Sequence, residues 1–261
     1  MEEEKVELFV ERLGVKGPHV IILHGWGCSI EQMRPLGELL SHKMQVHLID
    51  LPGFGRSTTP EETWSSFDYA QRLVRYLKEK NILSAHLVGH SFGGKVAMSM
   101  AKDYPVTVST LTLLASSGLK RSRSLKDKVR MKAIVLAGTL FKAIDNTCGS
   151  SLFETKIAQR YGSPDYRNAG PMRPILVKSV NEDLSETAKA IKQPTLLLWG
   201  ENDVDTPPTM GRRFHELISG STLYVFPGKN HHLYQEGGSS LCASYILPFI
   251  ANQEAINGKN I

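Results

Sequence analysis

Cysteine is scarce. Cys28, Cys148 and Cys242 are scattered through 261 residues, with no C-x-x-C among them. An odd, widely spaced set argues against a disulfide framework and against a cysteine-built zinc site. Long apolar runs are missing too. The longest strongly apolar stretch of helical length, around Ile134 to Phe141, is broken by Gly138 and Thr139. It falls far short of the ~20 residues that span a bilayer. The start, Met1-Glu-Glu-Glu-Lys5, is acidic and lacks an apolar stretch. No secretory signal is therefore expected, and the protein is expected to be soluble and cytoplasmic. Compositional extremes are absent as well: 41% hydrophobic and 22% charged residues exclude a disordered chain.

Charge is present but uneven. Residues 119–180 hold thirteen Lys/Arg against Asp127, Asp145, Glu154 and Asp165, a net +9, whereas the remainder is a net −4. Such a break points to an inserted module. The basic stretch lacks aromatic interleaving and any established binding motif, so no nucleic-acid partner is expected.

Outside that segment, short β-branched runs alternate with helical patterns. His19–Leu23, Val46–Asp50, Ala85–Gly89, Leu111–Ala115, Pro194–Gly200 and Thr222–Pro227 read as strands. Helices are expected at about 65–80, 93–103, 208–218 and 239–251. Strands and helices in this alternation imply βαβ units and a mostly parallel sheet. The expected division is a core of 1–118 with 181–261, and an insertion of 119–180.

The strongest chemical signal is Gly89-His90-Ser91-Phe92-Gly93-Gly94, placed after a strand and before a helix. A G-x-S-x-G in that setting is a nucleophile elbow. Its glycines permit the strained turn that lifts the serine hydroxyl above the sheet edge. The following helix N-terminus adds positive potential where an oxyanion would form. Read on through Lys95, the same stretch also spells G-x-x-x-x-G-K of a phosphate-binding loop. Val96, however, stands where that motif needs Ser or Thr to hold Mg²⁺. Lys95 is then expected to be an exposed helix residue.

Other placements accompany the elbow. His24-Gly25-Trp26-Gly27 follows the first buried strand, where backbone amides would complete an oxyanion hole. Asp203 follows the strand ending at Gly200, and His231 follows the last strand. Serine, then aspartate, then histidine is the chain order of one known triad arrangement. Asp50-Leu-Pro-Gly-Phe-Gly-Arg-Ser57 matches a D-x-P-G-x-G-x-S loop. Through these motifs the chain, from about residue 6 to 251, resembles the α/β-hydrolase superfamily, in its serine-nucleophile branch of capped esterases and C–C-bond hydrolases.

The resemblance implies an α/β fold: a mostly parallel, twisted sheet of about eight strands, flanked by helices. It makes 119–180 a helical cap between the sixth and seventh principal strands. It favours Asp203, four residues before Pro207, over Asp205, and His231, five before Glu236, over His232. Asn230 stands where the family has glycine. His24 and His90 read as supporting residues. The implied reaction is attack by Ser91, with His231 as base, Asp203 as orienting acid, and the backbone N–H groups of Trp26 and Phe92 holding the oxyanion. The substrate would be a small ester-like molecule: a carboxylic ester, thioester or lactone. A C–C bond hydrolase, an acyltransferase or perhydrolase, and a non-catalytic ligand receptor are the alternatives. A serine nucleophile excludes the aspartate chemistry of haloalkane dehalogenases and epoxide hydrolases. No metal or organic cofactor is implied.

Within the cap, Leu125, Val129, Leu136, Leu140, Phe141 and Ile144 are expected to form an apolar underside facing Ser91. Arg121, Arg123, Lys126, Lys128, Arg130 and Lys132 are expected to form a solvated face. Arg160, Arg167 and Arg173 are the candidates to pair a substrate carboxylate. Trp26 is expected near the substrate mouth. Trp199 and Cys28 are expected to pack.

Overall fold

The computed structural model describes residues 6–120 and 125–258. Among them, seven strands form one sheet: β1 Val10–Leu13, β2 His19–Leu23, β3 Gln45–Ile49, β4 Ala85–His90, β5 Val108–Leu114, β6 Thr195–Gly200 and β7 Thr222–Phe226. Their order is β1-β3-β2-β4-β5-β6-β7, and only β1 runs antiparallel. The sheet thus holds one strand fewer than the eight expected. Residues 7–9 bind the 50–58 loop instead of forming a further strand, through Asp50 N to Phe9 O at 3.1 Å and Thr58 N to Glu7 O at 3.0 Å. The basic insertion accordingly falls between β5 and β6.

The central strands are buried on both faces, as their unbroken apolar runs require. All six residues of β4 and all six of β6 are covered. Helix α2 (Ser66–Glu79) opens with a capping box, in which Ser65 and Asp68 satisfy each other's backbone N–H groups. Its apolar stripe buries Tyr69, Leu73, Val74 and Leu77. Helix α1 (Ile30–Ser41) was not expected. Its Ser29/Gln32 capping box starts it normally, but Pro35 lies inside and removes one helical donor.

Topology positions the site. From β2 the chain crosses to β3 on one side, then returns to β4 on the other. The carboxyl ends of β2 and β4, paired through Leu23 and Gly89, therefore flank the point where strand order reverses. Ligand sites in open α/β sheets form there.

Helix α3 (Phe92–Asp103) is buried all round from Phe92 to Ala101. The expectation that Lys95 is exposed is therefore wrong, since α3 has no solvent face at that position. Lys95 is 3% exposed and pairs with Glu182 at 3.5 Å. Its ammonium also donates to the Ser179 carbonyl and, at 3.4 Å, to the Ser179 hydroxyl. Burial pushes the Lys95 pKa down, and Glu182 opposes the shift. Glu182 in turn accepts from the Ser66 N–H at 3.0 Å, so one ion pair joins α3, the start of α2 and the strand-ward return of the insertion.

The chain divides into two compact units, Met1–Leu119 with Lys178–Ile261, and Lys120–Val177. In the second, helix α4 (Leu125–Cys148) is followed by a π-helical turn, Phe153–Ala158. Gly138 lies at their contact, where a Cβ would come within 3.2 Å of the Phe153 ring. The Asp145 carboxylate accepts from the N–H groups of Leu152 and Phe153 at 2.7 and 2.8 Å. Phe141 and Ile144 are partly covered, whereas Leu136 and Leu140 are exposed. Lys132 is exposed, as expected. Arg121 and Arg123 lie outside the described residues, as do the side chains of Leu125, Lys126, Lys128, Val129 and Arg130. Among the described residues, no helix is long and apolar enough to cross a membrane.

Removing one partner of a buried ion pair costs about 3–5 kcal/mol, whereas replacing both by apolar groups is often neutral. Lys95→Met is expected to lower the urea-unfolding free energy by about 3 kcal/mol, and Lys95→Met with Glu182→Leu to restore most of it. Equal losses in the single and double variants would show that the pair is not the cause.

Candidate active site

Ser91 stands between β4 and α3 with φ 49° and ψ −109°, a left-handed backbone that side chains rarely adopt. Its N–H donates to the Leu114 carbonyl at 3.0 Å. Its carbonyl accepts from the N–H groups of Lys95 and Ser117 at 3.2 and 3.1 Å. Close approach explains the neighbouring glycine: a Cβ on Gly93 would lie 2.6 Å from the His24 carbonyl oxygen. Gly25 is constrained likewise, with the His90 ring 2.7 Å from where its Cβ would be. Thus the turn after β2 is drawn against the elbow.

That turn is fixed from below by His24. The Leu51 N–H donates to its Nε2 at 2.9 Å, so Nδ1 carries the proton and donates to the Gly25 carbonyl at 2.8 Å. Burial holds the imidazole neutral, with its pKa lowered to about 4. Asp50 anchors the adjacent loop by accepting from Ile30 N at 2.8 Å and Arg56 N at 2.9 Å. Trp26 packs edge-on against Phe54 and Phe92, with ring centroids 4.9 and 5.4 Å apart. Among the described residues, neither the Trp26 nor the Phe92 N–H bonds to a side chain or to a backbone carbonyl outside the helices. Phe92 opens α3, where the first N–H groups have no helical acceptor.

Asp203 and His231 meet beyond the ends of β6 and β7. His231 Nδ1 donates to Asp203 Oδ2 at 2.9 Å, which leaves Nε2 as the basic nitrogen. Asp203 is 3% exposed. Its Oδ1 accepts from the N–H groups of Asp205 and Thr206, each at 2.8 Å. Asp205 itself is exposed and bonds to neither histidine. His232 turns instead toward the Tyr234 hydroxyl, 3.4 Å from its Nδ1. Among the described residues, the Ser91 hydroxyl makes no hydrogen bond.

A family model described as "alpha/beta hydrolase fold" matches residues 18–238. The chain is an α/β-hydrolase. It is 30% identical over 242 residues to a pimeloyl-[acyl-carrier protein] methyl ester esterase of Chromobacterium violaceum, covering 87% of this chain and 91% of that one. It is 25% identical over 256 residues to a 2-hydroxy-6-oxononadienedioate/2-hydroxy-6-oxononatrienedioate hydrolase of Escherichia coli, covering 89% and 86%. The structure of an esterase from Thermogutta terrifontis superposes with a TM-score of 0.70 at 22% identity, covering 95% and 94%, and supports the fold alone. The relatives are hydrolases, which supports enzyme activity of that kind for this chain.

Thr206 is the site residue that sequence reasoning missed. Its hydroxyl lies 2.8 Å from Asp203 Oδ2 and 2.9 Å from the Ala115 carbonyl. The buried indole of Trp199 donates to the Thr206 carbonyl at 2.8 Å. The signal was an aspartate followed three residues later by threonine, a local turn in which the side chain captures backbone N–H groups. The donor atoms of Asp203, Asp205 and His231 lie within 4.8 Å of one another. The Asp203 carboxylate is nonetheless fully engaged by the bonds above, which a cation would have to displace.

The three arginines considered for a substrate carboxylate are engaged or exposed. Arg173 pairs bidentately with Glu154 at 3.0 and 3.2 Å. Arg167 donates to the Gln159 carbonyl at 3.1 Å, and Arg160 is exposed. Cys28, Cys148 and Cys242 form no disulfide.

Burial of His24 gives a pH dependence with a definite sign. A base whose folded pKa is depressed stabilises the fold only while neutral. Its contribution is complete above the unfolded value of 6.5 and is lost as pH falls toward about 4. At 1.36 kcal/mol per unit, the loss is about 3 kcal/mol. Unfolding free energies should fall over that window, and the fall should be smaller by about this amount in His24→Gln. Parallel pH profiles for the two proteins would contradict the assignment.

Proposed function

We propose that this α/β-hydrolase cleaves an ester-like bond of a small molecule through an acyl-enzyme on Ser91. What supports this reading is a serine held in left-handed backbone at a strand-to-helix turn, together with an imidazole whose Nδ1 donates to a buried carboxylate. In the proposed cycle His231 Nε2 takes the Ser91 proton as Oγ attacks the carbonyl carbon. Asp203 holds the tautomer and stabilises the imidazolium that forms. The N–H groups of Trp26 and Phe92 hold the tetrahedral oxyanion, each such donor being worth roughly 3–4 kcal/mol in the transition state. The imidazolium then protonates the leaving alcohol, thiol or lactone oxygen. Water, deprotonated by His231, attacks the acyl-enzyme and releases the acid.

The basic unit, residues 120–177, is proposed as the cap that shapes the substrate pocket. Esterase chemistry is placed first because the relative at 30% identity is a methyl ester esterase. The E. coli relative favours a second reading, hydrolysis of a C–C bond in a diketone-like acid, on the same three residues.

Ser91→Ala and His231→Ala are each expected to lower kcat on p-nitrophenyl esters by at least ~10³-fold, as triad members usually do. His232→Ala should stay within about threefold of the parent, because its imidazole bonds to no carboxylate. Loss in His232→Ala with full activity in His231→Ala would reverse the assignment of the base. Running acyl-CoAs, lactones and a dienol-keto acid beside the esters, with Ser91→Ala as blank, separates the two readings.

A further inference from the structure

His90 precedes the serine and is 1% exposed. Its Nε2 lies 3.0 Å from the His231 carbonyl oxygen. A carbonyl only accepts, so Nε2 carries the proton and Nδ1 is left as an acceptor, with the Tyr234 hydroxyl at 3.5 Å. The ring lies against those of His231, His232 and Tyr234, with centroids 4.8, 5.4 and 4.8 Å away. Burial holds its pKa well below the usual histidine value, and the neighbouring imidazoles of His231 and His232 add to the shift.

The loop carrying His231 has no regular secondary structure between Phe226 and Gly238. Upstream it is tied to the end of β6, through Asn202 N to Lys229 O at 2.8 Å. Downstream it is a series of turns, with Gln235 N to His232 O at 2.8 Å. At His231 itself, the backbone carbonyl is held by His90. Residues 90 and 91 are consecutive, so one hydrogen bond links the backbone of the base to the strand that presents the nucleophile.

We propose that His90 is a positioning residue for the reaction: by donating from Nε2 to the His231 carbonyl, it sets the distance between the His231 imidazole and Ser91. This rests on the Ser91–His231 reading of the site. Among the described residues the Ser91 hydroxyl has no hydrogen bond of its own, so approach of the base is the variable that such a tether controls. A misplacement of about 1 Å can cost roughly 10²-fold in rate without loss of binding.

His90→Leu keeps an apolar body and removes both hydrogen bonds. It is expected to lower kcat on a p-nitrophenyl ester by about tenfold to a hundredfold, with KM within about twofold. His90→Gln can donate to the carbonyl and accept from Tyr234, and should return to within about fivefold of the parent. A purely volumetric role predicts no rescue by Gln. Independently of any variant's folding, two-bond ¹⁵N–¹H spectra of the histidine-labelled parent at pH 7 should show His90 as the Nε2–H tautomer. An Nδ1–H tautomer, parent-like kcat in His90→Leu, or equal losses in Leu and Gln would each overturn the proposal. Ser91→Ala is run alongside: an inactive blank leaves the reading of the site in place whatever His90 does, whereas a blank as active as the parent removes that reading.

Discussion

The site is built around the backbone of Ser91. A non-glycine residue in left-handed conformation costs of order 1–3 kcal/mol and persists only where its surroundings over-determine it. Here they do. The Ser91 N–H is bonded to β5, and its carbonyl accepts from the Lys95 N–H, the Ser117 N–H and, at 3.2 Å, the Ser117 hydroxyl. Ala115, on the adjacent strand exit, is also left-handed, with φ 45°. Its carbonyl lies within reach of the Thr206 hydroxyl, beside Asp203. Strain at the elbow is therefore shared with neighbours that themselves carry site residues.

Each remaining group is delivered by a different strand end and fixed by a partner of its own. His24 and Asp50 hold the turn and the loop after β2 and β3. Thr206 and the Trp199 indole hold the turn of Asp203 after β6. Neutral, buried imidazoles serve as rigid hydrogen-bonding pieces here, because desolvation makes their charged forms unfavourable. The buried Lys95–Glu182 pair performs a comparable structural task one turn into α3. It secures the place where the chain returns from the basic insertion.

Much of this was legible in the residues. Strands β2 to β6 announced themselves as apolar runs because they are largely buried on both faces, a pattern that tolerates little else, and β7 by its β-branched and aromatic residues. The positions of Ser91, Asp203 and His231 just past strand ends were legible because the stretches that carry them each follow such a run. What escaped had identifiable causes. Pro35 masked α1, since an internal proline reads as a stop. Lys95 was misplaced because a lone lysine in a helix suggests solvent, and nothing local reveals that α3 is enclosed on every side. The Thr206 bond to the Ala115 carbonyl and the tether from His90 join distant segments, 91 and 141 residues apart in the chain, which no local pattern records.

The most direct measurement is covalent: treat the protein with a fluorophosphonate, then map the adduct by peptide mass spectrometry. The account predicts a single phosphonylated serine at Ser91, with labelling strongly slowed in His231→Ala and abolished in Ser91→Ala. An unlabelled parent, or an adduct on another residue that forms equally well without His231, would contradict it.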